Sequence, residues 1–176
     1  MEEIIRPVDA YELGESGIWL SLTDEIKNFN ITPKEFKQNL LEILSKYDVF
    51  NITIKKINNG MYWIHYPVLK YDIDFQEIPF IDNYPSIERN KPFKPTDGTP
   101  MFKIEISINN NGIAKLTLYA SHGICDGRTI ENMFRIVLSA VPNSQNISDL
   151  ENCSLTEFGQ QNNFNLPKEL YEKPPD

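Results

Sequence analysis

The segment from residue 101 to residue 121 carries the pattern that most restricts what this chain can fold into. Two apolar-rich runs, MFKIEISI (101–108) and IAKLTLYAS (113–121), flank the turn-forming sequence NNNG (109–112). In the second run apolar residues alternate with polar ones, which is the period of a strand that turns one face to the core. The segment therefore predicts an antiparallel hairpin.

Three other runs also predict strands. GIWLSLTDEI (17–26) is rich in β-branched and large apolar residues. NITIKKI (51–57) and MYWIHY (61–66) are separated by NNG, so we expect a second hairpin in which Gly60 supplies the positive φ. Residues 67–100 are different, because their second part, PFIDNYPSIERNKPFKPTDGTP, contains five prolines. That composition predicts a long loop over the surface.

Two segments have the pattern of amphipathic helices. Residues 32–47 begin with TPKE, which combines an N-cap, a proline at the first helical position and the glutamate of a capping box. Residues 127–141 follow as a second helix, with apolar residues at helical spacing. Either Asp126 or Thr129 could cap it, and the sequence leaves that choice open.

The order of these elements predicts the fold class. Strand, helix, hairpin, long loop, hairpin and helix together indicate an α+β fold with two layers, in which helices cover a mostly antiparallel or mixed sheet on one face. A doubly wound parallel sheet would need a regular alternation of strands and helices, which is absent. We expect residues 1–141 to form one domain and residues 142–176, which are polar and end in prolines, to form a tail or linker.

Charge and composition narrow the function classes. The net charge of −8 argues against binding to nucleic acid or to an anionic membrane. No apolar stretch is long enough to span a bilayer, and the acidic start of the chain is unlike a secretory signal, so we expect a cytoplasmic protein. Two cysteines in 176 residues indicate neither a disulfide framework nor a metal site.

The stretch YASHGICDGRT (119–129) holds the candidate functional residues. His122 follows the strongest strand and precedes a helix, a rigid position that suits a general base. Gly123 and Gly127 would let the loop turn tightly and let a ligand approach. Asp126 could orient the imidazole, or it could support the loop by pairing with an arginine or capping the helix. By itself, a lone histidine is more often a partly buried polar residue with a satisfied hydrogen bond.

The sequence ASHGICDGRTIENMF (120–134) resembles the His-x-x-x-Asp-Gly motif of the CoA-dependent acyltransferase superfamily, which includes chloramphenicol acetyltransferase, alcohol O-acetyltransferases and peptide-synthetase condensation domains. IRPVDAYE (5–12) and the helix-to-strand unit after residue 32 come in that family's order, so the resemblance extends to about residue 140. It implies that His122 takes a proton from an acceptor that attacks a thioester carbonyl.

The same resemblance implies the other roles at the site. Asp126 would be structural and Gly127 would keep the loop open. The Asp126 partner among Arg6, Arg128 and Arg135 stays undecided. The co-substrate would be acyl-CoA or another acyl thioester, with a small-molecule acceptor, no bound cofactor and no metal.

The chain departs from the family pattern in ways that shape the expected function. Condensation domains usually have two consecutive histidines, whereas Ser121 precedes His122 here, which favours O-acyl transfer over peptide-bond formation. Asn51 and Thr53 occupy the region where condensation domains commonly have an arginine. The family also builds its tunnel between two similar halves, and this chain corresponds to the N-terminal one. We therefore expect a second half, a partner chain or a homo-oligomer to close the tunnel.

Other reactive residues are expected to be structural. Cys125 is interpreted as a small packing residue, His65 as a structural residue of its hairpin, and the acidic region 72–89 as a solvated face without metal. The alternative function is a non-catalytic binding or interaction module that retains the acyltransferase-like fold.

Overall fold

The chain folds around two β-sheets in a computed structural model that describes residues 3–80 and 98–142. Its elements are, in chain order, β1 (Ile4–Pro7), α1 (Ala10–Glu15), β2 (Trp19–Ile26), α2 (Pro33–Leu44), β3 (Ile52–Ile57), β4 (Gly60–His65), α3 (Val68–Tyr71), β5 (Asp74–Glu77), β6 (Phe102–Ile108), β7 (Ala114–Ser121) and α4 (Gly127–Leu138). The expected α+β class is confirmed.

The structure contains two sheets, whereas the sequence predicted one. The first has the strand order β1-β4-β3 and is antiparallel; the second has the order β2-β7-β6-β5 and is antiparallel except for the parallel pair β5 and β6. A single hydrophobic core draws residues from both sheets and both long helices. An edge-to-face contact between Phe50 and Phe102, with ring centroids 4.9 Å apart, links the start of β3 to β6.

The helix α2 begins as its sequence predicted. The Thr32 hydroxyl accepts a hydrogen bond from the Glu35 amide, and the Glu35 carboxylate accepts one from the Thr32 amide. The helix ends at Leu44, three residues earlier than expected. Beyond that end, the buried Asn51 amide group donates to the carbonyl oxygens of Leu44 and Tyr47 at 2.9 and 2.8 Å. Asn51 thus donates hydrogen bonds to carbonyl groups at and just beyond the end of α2, where no further helical turn supplies amide donors.

In the turn between β3 and β4, the prediction that Gly60 has a positive φ was wrong. Asn58, not Gly60, takes the positive φ, at 53°, a conformation that asparagine adopts more readily than most residues. A Cβ added at Gly60 would lie 2.6 Å from the Tyr62 ring. Glycine is therefore suited to this position because the tyrosine ring lies against its backbone.

Two regions contain elements that the sequence pattern did not predict. The N-terminal residues form β1 and α1, and the expected loop 67–100 contains α3 and β5. These elements are only four to six residues long, too short to show a hydrophobic period. The middle of that loop and the tail from residue 143 onward lie outside the described residues, so the predicted division at residue 142 stays a prediction.

Candidate functional site

The candidate site lies at the end of β7, one of the two inner strands of the larger sheet. β7 is hydrogen-bonded to β2 on one side and to β6 on the other, and six of its eight residues are buried. His122 follows this strand directly, and its amide donates to the Ile18 carbonyl at 2.8 Å. One third of the His122 side chain is exposed. The imidazole is therefore attached to a rigid strand and still open to solvent on part of its surface.

The short helix α1 connects the two sheets beside this histidine. At its first turn, Glu12 forms a bidentate ion pair with Arg6 and accepts a hydrogen bond from the Trp63 indole at 3.2 Å. Although burial acts in the opposite direction, these contacts and the Asp9 amide hold the pKa of Glu12 below its usual value. At the other end of α1, the Ser16 carbonyl accepts a 2.7 Å hydrogen bond from the buried Ser121 hydroxyl.

The last residue of α1 supplies a carboxylate to the site. Oε2 of Glu15 lies 2.9 Å from Nδ1 of His122, and three quarters of the Glu15 side chain is buried. The sequence interpretation missed Glu15, because the pair is separated by more than one hundred residues. One local signal could have revealed its helix, since Asp9 and Glu12 have the spacing of a capping box, which α1 forms.

The two glycines of the motif do not have the positive φ that their predicted role would require. In the described residues, only Gly98 and Gly112 among the glycines have positive φ. A Cβ at Gly123 would lie 3.0 Å from both Cα and Cβ of Ser16, so glycine allows α1 to approach the loop closely. A Cβ at Gly127 would meet nothing described within 4 Å. That this space at Gly127 admits a ligand stays a prediction.

Asp126 lies at the N-terminus of α4 and caps it. Its Oδ1 accepts a 2.7 Å hydrogen bond from the Thr129 amide. Burial acts to raise the pKa of this carboxyl, but hydrogen bonds from Thr129 and from nearby backbone amides hold it below its usual value. Within residues 3–80 and 98–142 no ion pair joins Asp126 to an arginine.

Cys125 is buried and hydrogen-bonded within the motif. Its Sγ donates to the Ser121 carbonyl at 3.3 Å. Burial, together with the Asp126 charge, raises the pKa of the thiol to about 12. Because the thiolate is the nucleophilic form of cysteine, this thiol is unsuited to covalent catalysis.

His65, which the sequence predicted to be structural, and Tyr119 each form a hydrogen bond within the fold. His65 places Nδ1 3.0 Å from the Asn51 carbonyl oxygen, and the Tyr119 hydroxyl donates to Glu105 at 2.9 Å.

In the part of the chain that the structure describes, no group of three His, Cys, Asp or Glu side chains could hold a metal ion. No described helix is both long and apolar enough to cross a membrane.

Comparison with solved structures assigns the fold. The X-domain from teicoplanin biosynthesis superposes with a TM-score of 0.65 at 13% identity, over 93% of this chain and 41% of that one. The starter condensation domain of the rhizomide synthetase gives a TM-score of 0.58 at 11% identity, over 77% of this chain and 37% of that one. A structure of condensation domain-mediated chain release from the enacyloxin polyketide synthase gives 0.56 at 9%, over 77% and 30%.

These matches confirm the resemblance at the level of the fold. The chain has the fold of the X-domain and the condensation domains to which it is similar. It spans about two fifths of the length of the first of these structures. The sequence matches no protein-family model, and it matches no curated protein.

Proposed function

We propose that this chain is the histidine-bearing lobe of an acyltransferase that moves an acyl group from a thioester, such as acyl-CoA, to the hydroxyl of a small acceptor. The observation that carries the proposal is the partly exposed imidazole of His122 at the end of β7, in a fold shared with condensation domains. Ser121 is compatible with this role, because its buried hydroxyl supports the strand end rather than acting as a second base.

The proposed reaction needs one general base and no redox partner. His122 removes the proton from the acceptor hydroxyl as its oxygen attacks the thioester carbonyl. The tetrahedral intermediate collapses, the C–S bond breaks, and the new ester is released. The departing sulfur takes the proton from the imidazolium, which returns His122 to its neutral form. Asp126 supports the loop by capping α4.

A second lobe would close the site over this base. Among the described residues, five of the seven exposed large apolar side chains lie in the short N-terminal region that includes α1, and they are Ile4, Ile5, Tyr11, Leu13 and Ile18. Ile18 is half exposed and its carbonyl accepts from the His122 amide. An apolar surface beside a catalytic residue suits coverage by another protein surface. Continuing chain, a partner or a second copy could provide it.

The test is a transfer assay on the protein in its assembled form. The 176-residue chain and the longest natural polypeptide containing it are mixed with acyl-CoA and panels of hydroxyl and amine acceptors, and thiol release and product mass are measured. Acyl esters formed with simultaneous release of CoA thiol are expected. Acyl-CoA binding without transfer would contradict the proposal and favour the non-catalytic binding module.

A further inference from the structure

We infer that Glu15 is a positioning residue, which holds His122 in the tautomer that carries its proton on Nδ1 and leaves Nε2 as the base. This inference rests on the proposed function for its catalytic meaning. Its structural content, the position of one proton on one ring, can be measured without any activity.

The tautomer follows from the chemistry of the two partners. Oε2 of Glu15 lies 2.9 Å from Nδ1 of His122, which is contact distance for a carboxylate and an imidazole nitrogen. An ionised carboxylate only accepts hydrogen bonds, so this close contact favours the forms of the imidazole that carry a proton on Nδ1. In a neutral imidazole the other nitrogen then holds the lone pair. Nε2 is consequently the atom of His122 that can take a proton.

The pair is held by contacts on both sides of it. The Ser121 hydroxyl donates to the Ser16 carbonyl at 2.7 Å, and the His122 amide donates to the Ile18 carbonyl at 2.8 Å. Gly123 packs directly against Ser16. An exposed ion pair between long side chains contributes little because both partners must be ordered. Here these hydrogen bonds already fix the backbone on both sides of the pair. Bringing the Glu15 carboxylate and the His122 ring together therefore costs less conformational entropy.

Two effects on catalysis follow from this arrangement. The ring is kept in one orientation, so Nε2 is presented to the acceptor without competition from the other tautomer. The carboxylate also stabilises the imidazolium that forms when Nε2 takes the proton. Glu15 would do this without touching the acceptor or the thioester.

The direct test is the nitrogen NMR spectrum of the imidazoles, recorded for ¹⁵N-labelled chain at a pH of about 8.5, which is above the ordinary pKa of free histidine. Long-range proton–nitrogen spectra distinguish the protonated ring nitrogen from the unprotonated one. The chain has two histidines, and His122→Gln identifies the signals of each. His65 is an internal reference, because its Nδ1 lies 3.0 Å from the Asn51 carbonyl.

In the wild-type chain, the His122 spectrum should show a protonated Nδ1 and an unprotonated Nε2. Glu15→Ala should move His122 toward the opposite tautomer, whereas Glu15→Gln should preserve it because an amide oxygen can still accept. Glu42→Ala, which removes an exposed carboxylate from α2, should change neither histidine. A protonated Nε2 in the wild type, or an unchanged His122 tautomer in folded Glu15→Ala, would overturn the inference.

The catalytic meaning is tested in the assembled protein. Glu15→Ala should lower kcat on the order of 10²-fold, the scale of a misplaced catalytic group, with little change in KM, and Glu15→Gln should recover part of the loss. An unchanged kcat despite an altered tautomer would overturn the positioning role. If the wild type transfers no acyl group, the proposed function fails, and the spectra still decide whether Glu15 fixes the ring.

Discussion

At the scale of single residues, the candidate site depends on two carboxylates, that of Glu15 beside His122 and that of Asp126 at the start of α4. The His-x-x-x-Asp-Gly motif could be recognised because its residues are close together in the chain. Asp126 had two possible roles in the sequence, and the structure places it at the N-cap of α4. Glu15 was absent from the prediction because its contact with His122 depends on how β2 pairs with β7, which no local pattern specifies.

The cap predicts how Asp126 variants behave. Asp126→Ala should lower the free energy of unfolding by about 1 kcal/mol at neutral pH, the usual cost of losing an N-cap, whereas Asp126→Asn should keep most of it. The lowered pKa of Asp126 means that its charge stabilises the fold above the ordinary aspartate pKa, and that this contribution is lost as pH falls through the lower folded value.

Urea unfolding of the three proteins at pH 7 and in acid measures both effects. The stability difference between wild type and Asp126→Asn should shrink toward low pH. The same variant should also retain acyl transfer. Full stability with abolished transfer in Asp126→Asn would indicate instead that the carboxylate acts on the imidazole.

At the scale of elements, α1 determines the geometry of the site. It is anchored to the smaller sheet through Glu12 and Trp63 and to the larger one through Ser16 and Ser121. The sequence predicted the long, periodic elements well, because α2 and the two hairpins bury regular apolar faces. It missed β1, α1, α3 and β5, in which few side chains are buried and tertiary contacts stabilise the element.

The contact between α1 and the motif loop predicts opposite outcomes for two glycine variants. Gly123→Ala should destabilise the fold, because the new methyl group would lie 3.0 Å from Ser16 and would push α1 and its carboxylate away from His122. Gly127→Ala should be neutral or stabilising by up to about 1 kcal/mol, because alanine fits a helical position and restricts the unfolded chain.

Both glycine variants are tested by thermal unfolding and by the nitrogen NMR spectrum of His122. A loss of stability together with an altered His122 spectrum is expected for Gly123→Ala alone. Equal stability of the two variants would show that the close approach of Ser16 is not required.

At the scale of the whole molecule, the chain spans 41% of the length of the X-domain whose fold it shares. The order of the sequence segments predicted this fold, and the superposition confirms it. In the proposed function a second protein surface would rest on the exposed apolar side chains of the N-terminal region, which include Ile18 next to the histidine.

The central claim is that the imidazole of His122 is the base of an acyl transfer, and the rate of His122→Ala in the assembled protein tests it most directly. With acyl thioester and acceptor saturating, His122→Ala should release thiol about 10²- to 10⁴-fold more slowly than the wild type, while His65→Ala, the matched histidine variant, should retain its rate. Equal rates for wild type and folded His122→Ala would contradict the account.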